Sequence, residues 1–155
     1  MSGEIEARLK SLGFELPAAP AAVANYVPFV LSGDLLSISG QLSKTADGNM
    51  IAGRLGADVS VEDGYKAAQL SALNILAQAK AALGDLGRIV QVIRLNGFVA
   101  AVPEFTDHPK VVNGASDLVG SVLGDAGRHS RIAVGVPSLP MNAAVEVDAM
   151  FRVRA

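Results

Sequence analysis

The 155-residue chain has no cysteine and no tryptophan, and only 5% of its residues are aromatic. Without thiols it can form no disulfide, no cysteine-ligated zinc site and no thiol nucleophile. With so few rings, the core has to be built from Ala, Val, Leu and Ile. Net charge is also small: 13 Lys and Arg against 15 Asp and Glu leave −2. That argues against a nucleic-acid partner, because affinity for a phosphate backbone needs a basic surface. No apolar run approaches the ~20 residues of a membrane span. Glu4, Glu6, Arg8 and Lys10 stand where a secretory signal would need an apolar stretch, so a cytoplasmic protein is expected. His108 and His129 fit no recognisable Ser/His/Asp spacing, and two isolated histidines make no zinc site by themselves. Gly84-Asp85-Leu86-Gly87 lacks a following Gly-Lys-Ser/Thr, so it reads as a turn and not a phosphate loop.

Length suits one domain over 1–155, large enough to bury roughly 70% of its unfolded surface. Half the residues are hydrophobic, and 16 Gly with many Ala permit close backbone approach. Ser2 to Leu12 predicts a short helix with Ile5, Leu9 and Leu12 at helical spacing and Gly13 as its stop, within an N-terminal extension of residues 1–15. Leu16 to Ala24 is an Ala/Pro connector. Tyr26 to Leu31 and Leu35 to Gly40 read as a hairpin across Ser32-Gly33-Asp34. Ser43 to Gly56 is polar and glycine-rich, a loop with a short strand. Val61 to Leu83 predicts a long helix: Ser60 as N-cap, Glu62 and Asp63 in the first turn, Gly84 beyond the last, and an inner stripe of Ala72, Leu73, Leu76, Ala79 and Leu83. Arg88 to Val102 is strand-like, with Asn96-Gly97 fitting either a hairpin turn or a bulge. Asp107 to Leu123 predicts a second long helix, capped by Asp107, with Val111, Ala115, Leu118 and Val122 inward. Two strands close the chain. The order β-β-α-β-α-β-β gives an α+β domain with both helices on one sheet face and the other face uncovered.

The closing strands carry the chemistry. In Arg131 to Val136, residues Ile132, Val134 and Val136 face one way and Arg131, Ala133 and Gly135 the other. In Ala144 to Val153, the apolar set Val145, Val147, Ala149, Phe151 and Val153 leaves Glu146 and Asp148 opposite. If the two strands pair, a guanidinium and one or two carboxylates share a face among small residues. Such a place suits a small carboxylate-bearing ligand and a positioned water, since Arg offers a rigid fork to a carboxylate.

Arg131 to Ala149, with Leu139-Pro140 and Val145-Glu146-Val147-Asp148-Ala149, resembles the C-terminal signature of the reactive-intermediate deaminase (YjgF/RidA-like) family. Tyr26, Ser39-Gly40-Gln41 and Val112-Asn113 fall in that family's order, so the resemblance runs from position 25 to the end. It implies a chorismate mutase-like fold, a mixed sheet with two helices on one face, and a homotrimer with ligand clefts between subunits. It also favours one long strand with a bulge at Asn96-Gly97. Departures are Ala133 where many members carry Cys, Ala24-Asn25 in place of Gly-Pro before the Tyr, a longer segment over 50–64, and the N-terminal extension. They bear on substrate and point to a divergent subgroup.

On composition alone, Arg131 reads as a surface charge and Glu146 as a solvated strand carboxylate. The resemblance implies instead that Arg131 grips the carboxylate of a 2-imino or 2-enamino acid. It implies that Glu146, or a backbone carbonyl near Ala133, orients the attacking water. Tyr26, Ser39, Gly40 and Asn113 are then expected to line the cleft, each having a plain structural reading as well; Asp148 is expected in a salt link or at the subunit contact. The function implied is hydrolytic deamination to a 2-keto acid and ammonia, with no metal or organic cofactor and no membrane partner. A non-catalytic carboxylate binder or sensor on the same scaffold is the alternative. A ribonuclease ranks third, against the acidic balance.

Overall fold

A computed structural model describes residues 3–22 and 24–155. Ser2 and Val23, at the start of the expected first helix and within the expected connector, lie outside the described residues. The elements are α1 (Glu4–Ser11), β1 (Phe29–Ser32), β2 (Leu35–Leu42), α2 (Val61–Leu83), β3 (Ile89–Ala100), α3 (His108–Leu123), β4 (Ser130–Val136) and β5 (Val145–Val153). The strands form one sheet in the order β1-β2-β5-β3-β4, with β3 and β4 parallel and the other neighbours antiparallel. This is the α+β, mixed-sheet architecture expected.

Both long helices lie on one face, α2 against β2 and β5, α3 against β3 and β4. The strand alternation explains why. Val145, Val147, Ala149, Phe151 and Val153 are all buried beneath them, together with Leu36 and Ile38 of β2. The Ser60 side chain accepts from Asp63 N at 3.1 Å, capping α2 as its sequence requires. Asp107 occupies the N-cap position of α3, but its side chain makes no capping bond there. Its carbonyl accepts from Lys110 N instead. Ile5 and Leu9 of α1 are buried in the same core, whereas Leu12 lies beyond the helix and is 48% exposed. Tyr26 precedes β1 in a bend and does not start the strand.

The strand of residues 89–100 is continuous through Asn96-Gly97, which is neither a turn nor a bulge. Asn96 pairs with Asp148 and Gly97 with Val147 in unbroken register; the shifts fall earlier, between Ile89 and Gln91 and between Val92 and Arg94. Gly97 is required for another reason. A Cβ there would sit 2.6 Å from Val112 Cγ1, so its absence lets α3 lie directly on the sheet. Gly114 plays the same part between helices, where its missing Cβ would run into the Tyr65 carbonyl of α2.

Gly114→Ala should therefore force the helices apart and destabilise the protein by about 1–3 kcal/mol, the scale of core overpacking. Gly120→Ala, on the same helix with nothing near its missing Cβ, should stabilise by up to ~1 kcal/mol through helix propensity. Urea unfolding of the two variants beside the parent checks the contrast.

Candidate functional site

The two closing strands do not pair. β3 lies between them, joined to β4 on one side and β5 on the other. The register then settles the faces. Arg131 aligns with Leu95 and Ala149, Ala133 with Gly97 and Val147, and Gly135 with Val99 and Val145, all on the helix-bearing face. Ile132 aligns with Asn96 and Asp148, and Val134 with Phe98 and Glu146, on the open face. Arg131 and Glu146 thus point to opposite sides of the sheet. This corrects the expectation that they share a face among Ala133 and Gly135. The physical reason is the close seat of α3, which leaves no room for a side chain at Gly97 or Gly135. A Cβ at Gly135 would strike the His108 ring, so β4 turns its small residues inward and leaves Ile132 42% exposed.

Arg131 lies along α3. Its Nη1 donates to Ser116 Oγ at 3.0 Å and its Nη2 to the Pro109 carbonyl at 3.4 Å. Asn113 sits between these two on the same helix face, at the spacing 109, 113, 116. Ser116 Oγ meets His129 Nε2 at 2.8 Å, and His129 Nδ1 meets the Gly127 carbonyl at 2.6 Å. Ala133 follows Arg131 on this face, half-buried against the core. Arg131, Asn113 and Ala133 therefore form one group.

Glu146 belongs to a second group, at the bulged end of β2. A Cβ on Gly40 would lie 2.8 Å from Glu146 Oε2, so the glycine makes room for the carboxylate. Half-burial pushes the Glu146 carboxyl above its ordinary value, and the neighbouring charge of Asp148 adds to the rise. Ser39 ties the approach to β1 onto β2: its Oγ donates to the Val27 carbonyl at 2.8 Å and its N–H to the Pro28 carbonyl at 2.9 Å. Tyr26, 53% exposed, shares a small cavity with Gly40, Gln41 and Met141. Asp148 accepts from Asn96 Nδ2 at 2.7 Å, and Asn96 Oδ1 from Arg94 Nε at 2.9 Å. This polar chain lines an open-face cleft of about 290 Å³ with Ser37, Ser39 and Met150.

The expected site residues thus fall into two groups, Arg131/Asn113/Ala133 and Tyr26/Ser39/Gly40/Glu146. From the register, the Cα atoms of Arg131 and Glu146 are three residues and two strands apart, on the order of 14 Å, before their opposite directions are counted. The Ser116–His129 contact had no sequence signal, because it joins a mid-helix residue to a loop thirteen positions later. Among the described residues no group of three or more His, Asp or Glu is placed to hold a metal ion, and no helix is long and apolar enough to cross a membrane.

Residues 6–152 match the family described as "YjgF/chorismate mutase-like, putative endoribonuclease". Protein TCP17 of Trypanosoma cruzi is 51% identical over 150 residues, covering 96% of this chain and 94% of TCP17. Among solved structures, Atu1372 of Agrobacterium tumefaciens, of unknown function, is 55% identical with a TM-score of 0.91, over 97% of this chain and 94% of that one. Escherichia coli TdcF with bound serine is 25% identical with a TM-score of 0.64, over 88% and 94%. With a family model spanning nearly the whole chain and a half-identical relative of almost the same length, the chain belongs to the YjgF/chorismate mutase-like family.

Proposed function

We propose that this protein hydrolyses small 2-enamino and 2-imino acids to 2-keto acids and ammonia, in a cleft made where the Arg131 group of one subunit meets the Glu146 group of the next. The observation that carries the reading is the split site. Within one chain the Arg131 guanidinium and the Glu146 carboxyl lie on opposite sheet faces, so one small ligand reaches both only across a subunit boundary. The open face also needs a partner. It exposes Val30, Leu35, Ile132 and Met150 among its polar residues, and burying such side chains favours association. A closed homotrimer covers this face in all three copies and creates three equivalent clefts.

The chemistry asks little of the protein. Imines of this class already react with water, so positioning and charge placement supply the acceleration. The Arg131 fork would take the carboxylate. Water would add to the carbon of the protonated imine as Glu146 takes one of its protons; Glu146 would then pass that proton to the amino nitrogen, and as ammonia leaves the hydroxyl proton would return to Glu146, completing the carbonyl. A carboxyl with an upward-shifted pKa suits such a shuttle, being closer to balance between its two forms near neutrality. TdcF holds serine, a small molecule with a carboxylate beside a nitrogen-bearing carbon, and the proposed substrates share that pattern. The word endoribonuclease in the family description sits poorly with a net charge of −2 and with Glu146 and Asp148 on the open face, which would repel a polyanion.

Activity is tested by keto-acid and ammonia release from enzymatically generated 2-aminoacrylate, compared with the Arg131→Ala protein. Equal rates for the protein, the variant and buffer would reject a deaminase. Two further substitutions separate the roles. Arg131→Lys keeps the charge but loses the planar fork, so KM should rise about tenfold or more. Glu146→Gln should lower turnover while leaving carboxylate affinity in place. It should also leave stability undiminished. A carboxyl whose folded pKa is raised above its ordinary 4.5 binds more protons folded than unfolded, so its contribution to stability falls as pH rises through that window. Glu146→Gln removes this loss: its melting temperature should match or exceed the parent's at pH 7 and lose that advantage below pH 4.5. A clearly lowered melting temperature at pH 7 would show Glu146 to be structural. Light scattering at micromolar concentration should give three times the chain mass of 15.9 kDa; a monomer would remove the cleft.

A further inference from the structure

The Arg131 guanidinium is the end of a directed chain of hydrogen bonds. The Gly127 carbonyl can only accept, so the neutral His129 ring carries its hydrogen on Nδ1, where the separation is 2.6 Å. Nε2 is then an acceptor, and the Ser116 hydroxyl donates to it at 2.8 Å. With its hydrogen committed, Ser116 Oγ presents lone pairs to Arg131 Nη1 at 3.0 Å. Every donor in this order has one acceptor, and the order runs one way. A mid-helix serine has a local partner in the carbonyl four residues back; both contacts of the Ser116 hydroxyl described here leave the helix. The Pro109 carbonyl takes Nη2 from the other side, so the guanidinium is clamped at two points on α3.

A flexible arginine loses rotamer freedom when it grips a ligand, and holding it beforehand reduces that cost. We propose that Ser116 and His129 are positioning residues that set the Arg131 fork for a substrate carboxylate. Neither touches the ligand. This rests on Arg131 being the carboxylate-binding group in the reading above, and it adds two residues from outside the expected site. The helix and the loop before β4 thereby act together: Ser116 fixes the position of the fork along α3, and His129 fixes the rotamer of Ser116.

The test uses the full-length protein, with 2-aminoacrylate as substrate for kinetics and pyruvate, its hydrolysis product, as a carboxylate ligand for calorimetry. Ser116→Ala and His129→Leu should each raise KM and weaken pyruvate binding about tenfold, the scale of one hydrogen bond to a charged group. Turnover at saturation should stay within about twofold, since the group lost acts on binding and not on the reacting carbon. Ser116→Thr, which keeps the hydroxyl, and His129→Gln, which keeps an acceptor oxygen for it, should bind pyruvate close to the parent. A purely structural role would move melting temperature in all four variants without this split between hydroxyl-keeping and hydroxyl-lacking changes. Unchanged pyruvate affinity in Ser116→Ala and His129→Leu, with affinity lost in Arg131→Ala, overturns the positioning role alone. Unchanged affinity in Arg131→Ala as well overturns the carboxylate-binding reading with it.

Discussion

The seat of α3 on the sheet decides most of what this molecule can do. Val112 lies against the position where Gly97 has no side chain, and His108 lies over Gly135. That contact leaves no room for a side chain at Gly97 and Gly135, and strand alternation does the rest. Ala133 and Gly135 turn inward, Arg131 turns inward with them, and Ile132 and Val134 turn outward. On β5 the burial of Val145, Val147 and Ala149 sends Glu146 and Asp148 outward by the same alternation. One packing requirement thus separates Arg131 and Glu146, the cationic and anionic parts of the proposed site, to opposite faces. It also leaves the open face, with exposed Ile132 and Met150, for a second copy to cover.

The elements themselves were legible because their periods are strong. Val61 to Leu83 reads as a helix from Ser60 to Gly84, and the structure has these limits. The alternation along β5 names its buried set without exception. What could not be read was which face of β4 meets the helices. Ile132, Val134 and Val136 form the more apolar set, so hydrophobicity alone turns them toward the core. The demand for close approach overrides it, and that demand depends on Val112 and His108, distant in sequence. Asn96-Gly97 misled for a related reason: the dipeptide has turn chemistry, but its glycine answers to Val112 across the interface. Leu12 fell outside the inner face because α1 ends at Ser11.

The site was legible as a list and not as an arrangement. Residue types and order singled out Arg131, Glu146, Tyr26, Ser39, Gly40, Asn113 and Ala133, yet nothing along the chain divides them into two groups. The division requires knowing that β3 inserts between β4 and β5. Ser116 and His129 had no signal of either kind, since a serine in mid-helix and a histidine before a strand are ordinary surface residues until the fold joins them.

The central claim is that the working site is assembled from two chains, and mixing variants tests it most directly. Arg131→Ala and Glu146→Gln proteins, each expected to be impaired alone, are unfolded together and refolded as mixed oligomers. In a mixed assembly some clefts join the intact Arg131 of one variant to the intact Glu146 of the other. The account predicts that 2-aminoacrylate hydrolysis returns in the mixture and scales with the fraction of mixed oligomers. Mixed oligomers of confirmed composition with no more activity than the separate variants would contradict it, because a site held within one chain cannot be repaired by its neighbour.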